Sequence, residues 1–418
     1  MDTEVFVYVD LADSPILVGR LWTRSRGARE SASFEYDGNW LSHEERFALE
    51  PALSLGPGPF HTAGNKAIFG AIGDSAPDRW GRTLMRRAER QRALQGGETP
   101  RTLREIDFLL RVDDEARQGA LRFSTSEEGP YLAEAGGMRI PPLVELPRLL
   151  SAADKMADES DTAEELRLLL APGSSLGGAR PKASVRDHDG HLLIAKFAQQ
   201  DDEIDIVRWE AVALGLARKA GLVVPDWRIE NVGEVPVILL RRFDRATNSR
   251  IPFLSAMSML DARDNDRRSY LEMVDALRQY GAAPVADMHA LWRRVVFSIL
   301  ISNTDDHLRN HGFLYEGTNG WRLSPAYDLN PVPTDLKPRI LSTNIDLDDG
   351  TASLPLAYSV AAYFELDEIE AKQIAYEVGR AVSGWRQEAA SVGIPKSQIK
   401  RMESAFEHDD LRFALEDK

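Results

Sequence analysis

Asp305 and Asn310, within Asn303-Thr304-Asp305-Asp306-His307-Leu308-Arg309-Asn310, stand in D-x-x-x-x-N order. A phosphoryl-transfer loop uses this spacing: the acid orients or deprotonates an acceptor hydroxyl, and the amide holds a metal ion. Asp328 follows 18 residues after Asn310, in the run Ser324-Pro325-Ala326-Tyr327-Asp328-Leu329-Asn330-Pro331. A second metal-binding acid there suits Mg²⁺, which takes one or two carboxylates together with phosphate oxygens. Lys196 ends the apolar run from His191, where a lysine can reach nucleotide phosphates and pair with an acid on the next helix. Glu210 is the acid in place to do so. Further upstream, Gly173-Ser174-Ser175-Leu176-Gly177-Gly178 precedes a predicted hairpin. Its glycines would let backbone N–H groups approach phosphates closely. Singly, each feature has a bland reading as a surface turn, a snorkelling lysine or an acidic loop. Their joint order points to phosphoryl transfer.

Other chemistries fit less well. A Walker loop needs Lys directly after the final Gly, whereas Gly178 is followed by Ala179 and Arg180. No G-x-G-x-x-G stands between a strand and a helix, and the G-x-S-x-G of Gly173-Ser174-Ser175-Leu176-Gly177 leads into a predicted hairpin rather than a helix, so it is no nucleophile elbow. His307 and His311 lie four apart, but without H-E-x-x-H and without cysteine the pattern favours a hydrogen-bonded structural histidine over zinc. The absence of cysteine also removes disulfides, iron–sulfur clusters and a thiol nucleophile. A formal charge of −15 argues against broad coating of nucleic acid. Arg79, Arg82, Arg86 and Arg90 fall near one helical face, beside Arg87 and Arg92. A solvated face with acidic partners is the expectation there. No apolar run reaches the roughly 18 residues of a membrane helix. The first residues lack a basic stretch followed by an apolar one, so cytoplasmic residence is expected, with no membrane partner.

These residues need elements to position them. At about 150 residues per domain, 418 residues give two or three domains. Charged residues at 28% and hydrophobic ones at 43% describe a globular chain with a sizeable core. Residues 1–147 open with strand-like pieces at 4–10, 16–22 and 31–36, followed by helical patterning at 78–95 and 105–110. A Gly/Pro-rich stretch ending near 147 marks a boundary. Residues 148–258 begin with helical patterning over 149–170. They continue with runs 182–186 and 192–196, joined by Asp187-His188-Asp189-Gly190, a hairpin signal. A helix over 204–220 ended by Gly221 and strands over 227–232 and 235–241 follow. Residues 259–418 read as helical at 268–280, 284–302, 367–382 and 396–414. The class is α+β. A strand-rich zone with a glycine loop, then a helical zone, suggests a two-lobed nucleotide-binding protein.

Ser174-Ser175-Leu176-Gly177-Gly178-Ala179-Arg180-Pro181-Lys182, the run from Asn303 to Phe313, the run from Trp321 to Pro331 and the upstream run from Phe69 to Ala88 resemble the HipA family. These are serine/threonine kinases that act as toxins of bacterial type II toxin–antitoxin pairs. The resemblance implies a two-lobed protein-kinase-like fold with a helical C-terminal lobe and a small N-terminal α/β subdomain. It implies Asp305 as the catalytic acid, Asn310 and Asp328 as Mg²⁺ ligands, and Lys196 at the phosphates of ATP. Ser174, Ser175, Gly177, Gly178 and Lys182 would contact ATP from the glycine loop, with Glu210 and His307 also at the nucleotide site. Ser175, seven residues before Lys182, would be the autophosphorylated serine. The hinge would be Leu239–Phe243, with Leu240, Arg241 and Phe243 at the adenine. Arg241 stands where family members can show Glu, which leaves backbone hinge bonds unaffected. The implied partner is a small HipB-like helix-turn-helix antitoxin, with DNA contacted only through it. The implied substrate is a protein, an aminoacyl-tRNA synthetase being the target of some members.

Two other readings share these residues. An aminoglycoside-type small-molecule phosphotransferase uses a similar loop, and a catalytically silent chain could serve only as antitoxin partner and corepressor. The presence of Asp305, Asn310, Asp328 and Lys196 together ranks the silent reading last.

Overall fold

An uninterrupted apolar run from Val5 to Val9 buries β1 (Thr3–Val9) on both faces. It is an inner strand of an antiparallel sheet with β2 (Ile16–Arg26), β3 (Arg29–Tyr36), β4 (Phe60–His61) and β5 (Leu121–Ser124), in the order β4-β3-β2-β1-β5. The computed structural model describes residues 3–416 other than 12–13, 28, 65, 132–139, 159, 171–177, 179, 200 and 248. The chain forms two units, Met1–Gln200 with Asn231–Leu254, and Asp201–Glu230 with Ser255–Lys418.

In the first unit Asp78 caps the helix Arg79–Gln95 by accepting from Gly81 N. Trp80 and Leu84 enter one core and Met85 another, so the helix is buried on more than one side. Three of its six arginines meet acids, and the guanidinium of Arg86 lies over the ring of Phe108. Arg82 grips Glu105 through two bonds of 2.6 and 2.7 Å, Arg87 reaches Asp161 at 2.6 Å, and Arg92 bonds Glu89 at 2.9 Å. Where one helix is expected over 149–170 there are two, Leu146–Ala157 and Ala163–Leu170. Thr162 and Glu165 make a reciprocal cap that starts the second one afresh.

A second sheet contains β6 (Lys182–Arg186), β7 (Leu192–Phe197), β8 (Trp227–Val232) and β9 (Val235–Arg241), in the order β6-β7-β9-β8. Gly190, at φ 86°, supplies the left-handed residue of the β6–β7 turn. Ala183, Val185, Leu193, Ala195, Phe197, Val237 and Leu239 share one core with Trp80, Leu84 and the leucines of the two helices after 142.

The second unit is mainly helical. The helix Tyr270–Tyr280 starts two residues later than the expected 268 because Ser269 and Glu272 form a capping box. Pro284 opens the helix Pro284–Leu300, a position where its missing N–H costs nothing. Asp367 and Glu370 box the helix Glu368–Val382. The expected helix over 396–414 is three short ones, Lys396–Arg401, Glu403–Phe406 and Asp409–Glu416. His408 Nδ1 accepts from Leu411 N at the start of the last, which makes a fresh N-terminus. Trp209, Trp385 and Phe406 form an aromatic core, the last two stacked at 4.6 Å. β10 (Phe253–Ser255), β11 (Gly312–Tyr315) and β12 (Trp321–Leu323) form a small sheet in that order. Among the described residues no helix is long and apolar enough to cross a membrane.

Candidate active site

The helix Pro284–Leu300 delivers the D-x-x-x-x-N loop. Ser302 takes a left-handed φ of 53°, and Asn303 N bonds Ser298 O at 2.9 Å, so the chain turns sharply off the helix end. Thr304 and Asp306 are buried, whereas the side chain of Asp305 between them is 59% exposed. The carbonyl of Thr304 accepts from Ser342 N at 3.1 Å and Ser342 Oγ at 2.9 Å. The carbonyl of Asp306 accepts from Thr343 Oγ1 at 2.7 Å. The carbonyl of Asp305 accepts from His307 N at 3.0 Å and from Asn310 Nδ2 at 2.9 Å. The x₄ spacing thus folds Asn310 back onto the main chain of Asp305, which turns its carboxamide oxygen the other way. Lys337 Nζ lies 3.6 Å from Asp305 Oδ1.

The segment bearing Asp328 is stitched to this loop at two points. Tyr327 OH donates to Arg309 O at 2.8 Å, and Asn330 N donates to Asn303 Oδ1 at 3.2 Å. Asp328 itself has a left-handed φ of 57°, a conformation that costs an L-residue of order 1 kcal/mol and that clusters at functional sites. Asn330 Nδ2 bonds Asp328 Oδ1 at 3.4 Å. Among the described residues, the buried atoms His307 Nδ1 and Asn330 Oδ1 have no hydrogen-bond partner. Such atoms are destabilising unless a ligand or water completes them. Carboxylate and carboxamide oxygens are the donors a hard divalent cation prefers, so the residues present fit Mg²⁺. No group of three or more His, Asp or Glu side chains able to hold a metal occurs among the described residues. A cation here would rest on Asp328, Asn310 and oxygens of its ligand.

His311 is fully buried, with Nε2 2.8 Å from Asp306 Oδ1 and its ring edge-on to Tyr270. It faces an acid, as a structural histidine does. Tyr270 OH and Ser298 Oγ (3.1 Å) both donate to Asp306 Oδ2. Burial pushes the Asp306 carboxyl up, but His311, Tyr270 and Arg294 together hold it below the usual carboxylate range.

In the first unit Lys182 and Lys196 are direct partners across β6 and β7. Their alternation with Ala183 and Ala195 places both on the sheet face away from the core. Lys182 Nζ sits 2.8 Å from Asp78 Oδ2, and both side chains are almost fully buried. Trp80 Nε1 donates to Lys182 O at 3.1 Å, and Trp80 N to Gly178 O at 3.4 Å. Gly178 has φ 100°, and a Cβ there would stand 3.0 Å from Lys182 Nζ. Ser174, Ser175 and Gly177 lie outside the described residues. Lys196 is half-buried on β7. Leu240 pairs with Ile194 and Arg241 with Leu193. Arg241 directs its guanidinium to His191 Nε2 at 2.7 Å. The ring of Phe243 packs 6.4 Å from that of Phe253. Glu210 belongs to the second unit, on the helix Ile206–Lys219, and is 3% exposed.

Sequence reasoning passed over the charges that follow the hinge. Arg242 bonds Ala116 O at 2.6 Å, Arg117 O at 2.9 Å and both oxygens of Asp244. Asp244 accepts from Gly119 N at 2.8 Å, and Arg245 bonds Gly119 O and Arg117 O. Three charges in four residues at the end of a buried strand were the available signal.

The model of the HipA-like C-terminal domain matches residues 174–385, half of the chain. A Sinorhizobium fredii protein whose name proposes a kinase, Y4mE, is 24% identical over 331 residues, 73% of this chain and 74% of that one. A Haemophilus influenzae protein, likewise named, is 27% identical over 214 residues, 45% of this chain and 62% of that one. The HipA chain in a Shewanella oneidensis complex of HipA, HipB and operator DNA superposes with a TM-score of 0.66 at 15% identity. It covers 99% of this chain and 96% of that one, which shows a shared two-lobed, kinase-like fold. By its matched domain and its fold, the chain belongs to the HipA-like family.

Proposed function

We propose that this protein is an ATP- and Mg²⁺-dependent serine/threonine protein kinase of the HipA type, the toxin of a toxin–antitoxin pair. The observation that carries the reading is the braced loop, in which Asp305 alone of three consecutive residues is presented to solvent while Asn310 and the Asp328 segment are tied to it. Bound MgATP supplies the phosphoryl group and the cation that neutralises its oxygens. Asp305 orients the acceptor hydroxyl and takes up its proton. Asn310 and Asp328 hold the cation through hard oxygens. His307, with its unpartnered Nδ1, Lys182, Lys196 and backbone N–H groups of Ser174, Ser175, Gly177 and Gly178 bind phosphate oxygens, with Glu210 in support. Leu240, Arg241 and Phe243 provide the adenine edge. Ser175 is the residue on which the kinase inactivates itself.

In this reading residues 1–147 are the N-terminal subdomain, 148–258 the nucleotide-binding lobe and 259–418 the helical catalytic lobe. The partner is a helix-turn-helix antitoxin, as HipB accompanies HipA in the Shewanella complex, and DNA is met only through it. The substrate is a cytoplasmic protein, with an aminoacyl-tRNA synthetase as the first to test. Incubating the chain with γ-labelled ATP and a lysate of its host tests the proposal. A labelled protein band is expected with the wild type and none with Asp305→Asn at equal thermal stability. Label transfer that survives Asp305→Asn would overturn the assignment.

A further inference from the structure

Asp306 has no task in the chemistry above, yet it is among the most elaborately held residues of the chain. Its carboxylate accepts from Tyr270 OH, on the helix Tyr270–Tyr280, and from Ser298 Oγ at 3.1 Å, on the helix Pro284–Leu300. His311 Nε2 lies 2.8 Å from its other oxygen, and the buried Arg294 stands behind that histidine, NH1 to Nδ1 at 3.4 Å. Tyr270, Ser298 and His311 are all wholly buried, and Asp306 is 2% exposed. A buried carboxylate is tolerated only when donors surround it. An apolar residue would fill the same space without that requirement, so the acid has a use beyond filling it. The use is directional. Donors from two helices fix the side chain of residue 306, Ser342 and Thr343 fix the carbonyls of 304 and 306, and the residue left between them must point out.

We propose that Asp306 is a positioning residue for phosphoryl transfer: its carboxylate, gripped by Tyr270, Ser298 and His311, fixes the loop conformation that presents Asp305 and turns Asn310 back onto it. The proposal rests on the reading of Asp305 and Asn310 as the reacting loop. A misplacement near 1 Å costs an enzyme about 100-fold in rate, so the geometry has a large effect to exert.

The test uses the full chain, as wild type, Asp306→Asn and Tyr270→Phe, with two readouts. Hydrogen–deuterium exchange reports the amides of His307 and Asn310, which close the loop. ADP release from MgATP, measured well below each melting temperature, gives kcat and KM. In Asp306→Asn the loop amides should exchange about tenfold faster while those of the helix Pro284–Leu300 keep their protection. The turnover number should fall about 10- to 100-fold with KM for ATP within about threefold. Tyr270→Phe should move both readouts the same way by less, and it decides the matter should Asp306→Asn not fold. Wild-type exchange in the loop of a folded variant, or equal loosening of loop and helix, overturns the proposal. A wild type that releases no ADP would instead sink the kinase reading, and the exchange data would still decide whether Asp306 sets the loop.

Discussion

Lys182 stands directly opposite Lys196 across β6 and β7, and its ammonium bonds Asp78, 104 residues earlier in the chain, at 2.8 Å. Asp78 serves two masters: Oδ1 caps the helix Arg79–Gln95 and Oδ2 meets Lys182. Asp78→Asn keeps a capping oxygen and removes the negative charge that faces the buried ammonium. Loss of one partner from such a pair costs roughly 3–5 kcal/mol. Urea unfolding should show a loss of that order for Asp78→Asn, and a smaller one for the double variant with Lys182→Met. A loss near zero in the single variant would mean the pair contributes nothing.

Asp328→Ala removes the one carboxylate of the proposed cation site. It leaves the left-handed backbone in place, which Ala accepts slightly less well than Asp, so only a small loss of stability should accompany it. Calorimetric titration with MgATP should show affinity reduced at least about tenfold, the effect of losing a ligand from a hard cation. Titration with ATP in EDTA should not distinguish the variant from the wild type. Unchanged MgATP affinity would rule Asp328 out as a ligand.

Phosphate on Ser175 would bring a dianion close to the nucleotide's own negative charge. Mass spectrometry of the purified chain should find it on the wild type and not on Asp305→Asn. The modified fraction should bind MgATP more weakly than the unmodified one. Modification at Ser174 instead would shift the register by one residue.

His408 uses both ring nitrogens in its neutral form. Nε2 donates to Leu300 O at 3.2 Å, and Nδ1 accepts from Leu411 N at 3.4 Å. Burial, then the nearby Arg339, pushes its pKa down to about 4, against the pull of Asp410. The unfolded chain therefore binds the proton that the folded chain refuses between pH 6.5 and about 4. Stability from this group is complete above pH 6.5 and falls with acidification at up to ~1.4 kcal/mol per pH unit, ~3 kcal/mol in all. Melting curves across that window should flatten in His408→Gln relative to wild type. Equal slopes would show that another group carries the acid sensitivity.

Local signals were legible. β8 and β9 begin and end where alternation and turn residues place them, because both are set by neighbours in sequence. The D-x₄-N spacing is a local fact too, and the structure joins Asn310 to Asp305 across it. What escaped depends on distant partners. Nothing local marks Asp306 as buried, and only Tyr270, Ser298 and His311 reveal it so. That Lys182 is buried against Asp78 is hidden as well, because Asp78 comes from another element. The breaks at 158–162 and 402–408 were visible in part, since Thr162-x-x-Glu165 is a written cap, whereas the role of His408 is not.

The charges after β9 have a consequence for how such chains can be inherited. Arg242 and Arg245 spend their donors on the main-chain oxygens of residues 115–119, and Asp244 spends an oxygen on Gly119 N. Val185 and Leu193 likewise share a core with Trp80 and Leu84. The recognisable stretch 174–385 is therefore no freestanding module. Recombination that separated it from the first 124 residues would leave the guanidinium groups of Arg242 and Arg245 with Asp244 but without their main-chain acceptors, and an apolar sheet face bare. The two stretches must travel through evolution as one heritable block, and substitutions at 242–245 must answer to the main chain of a loop more than 120 residues earlier.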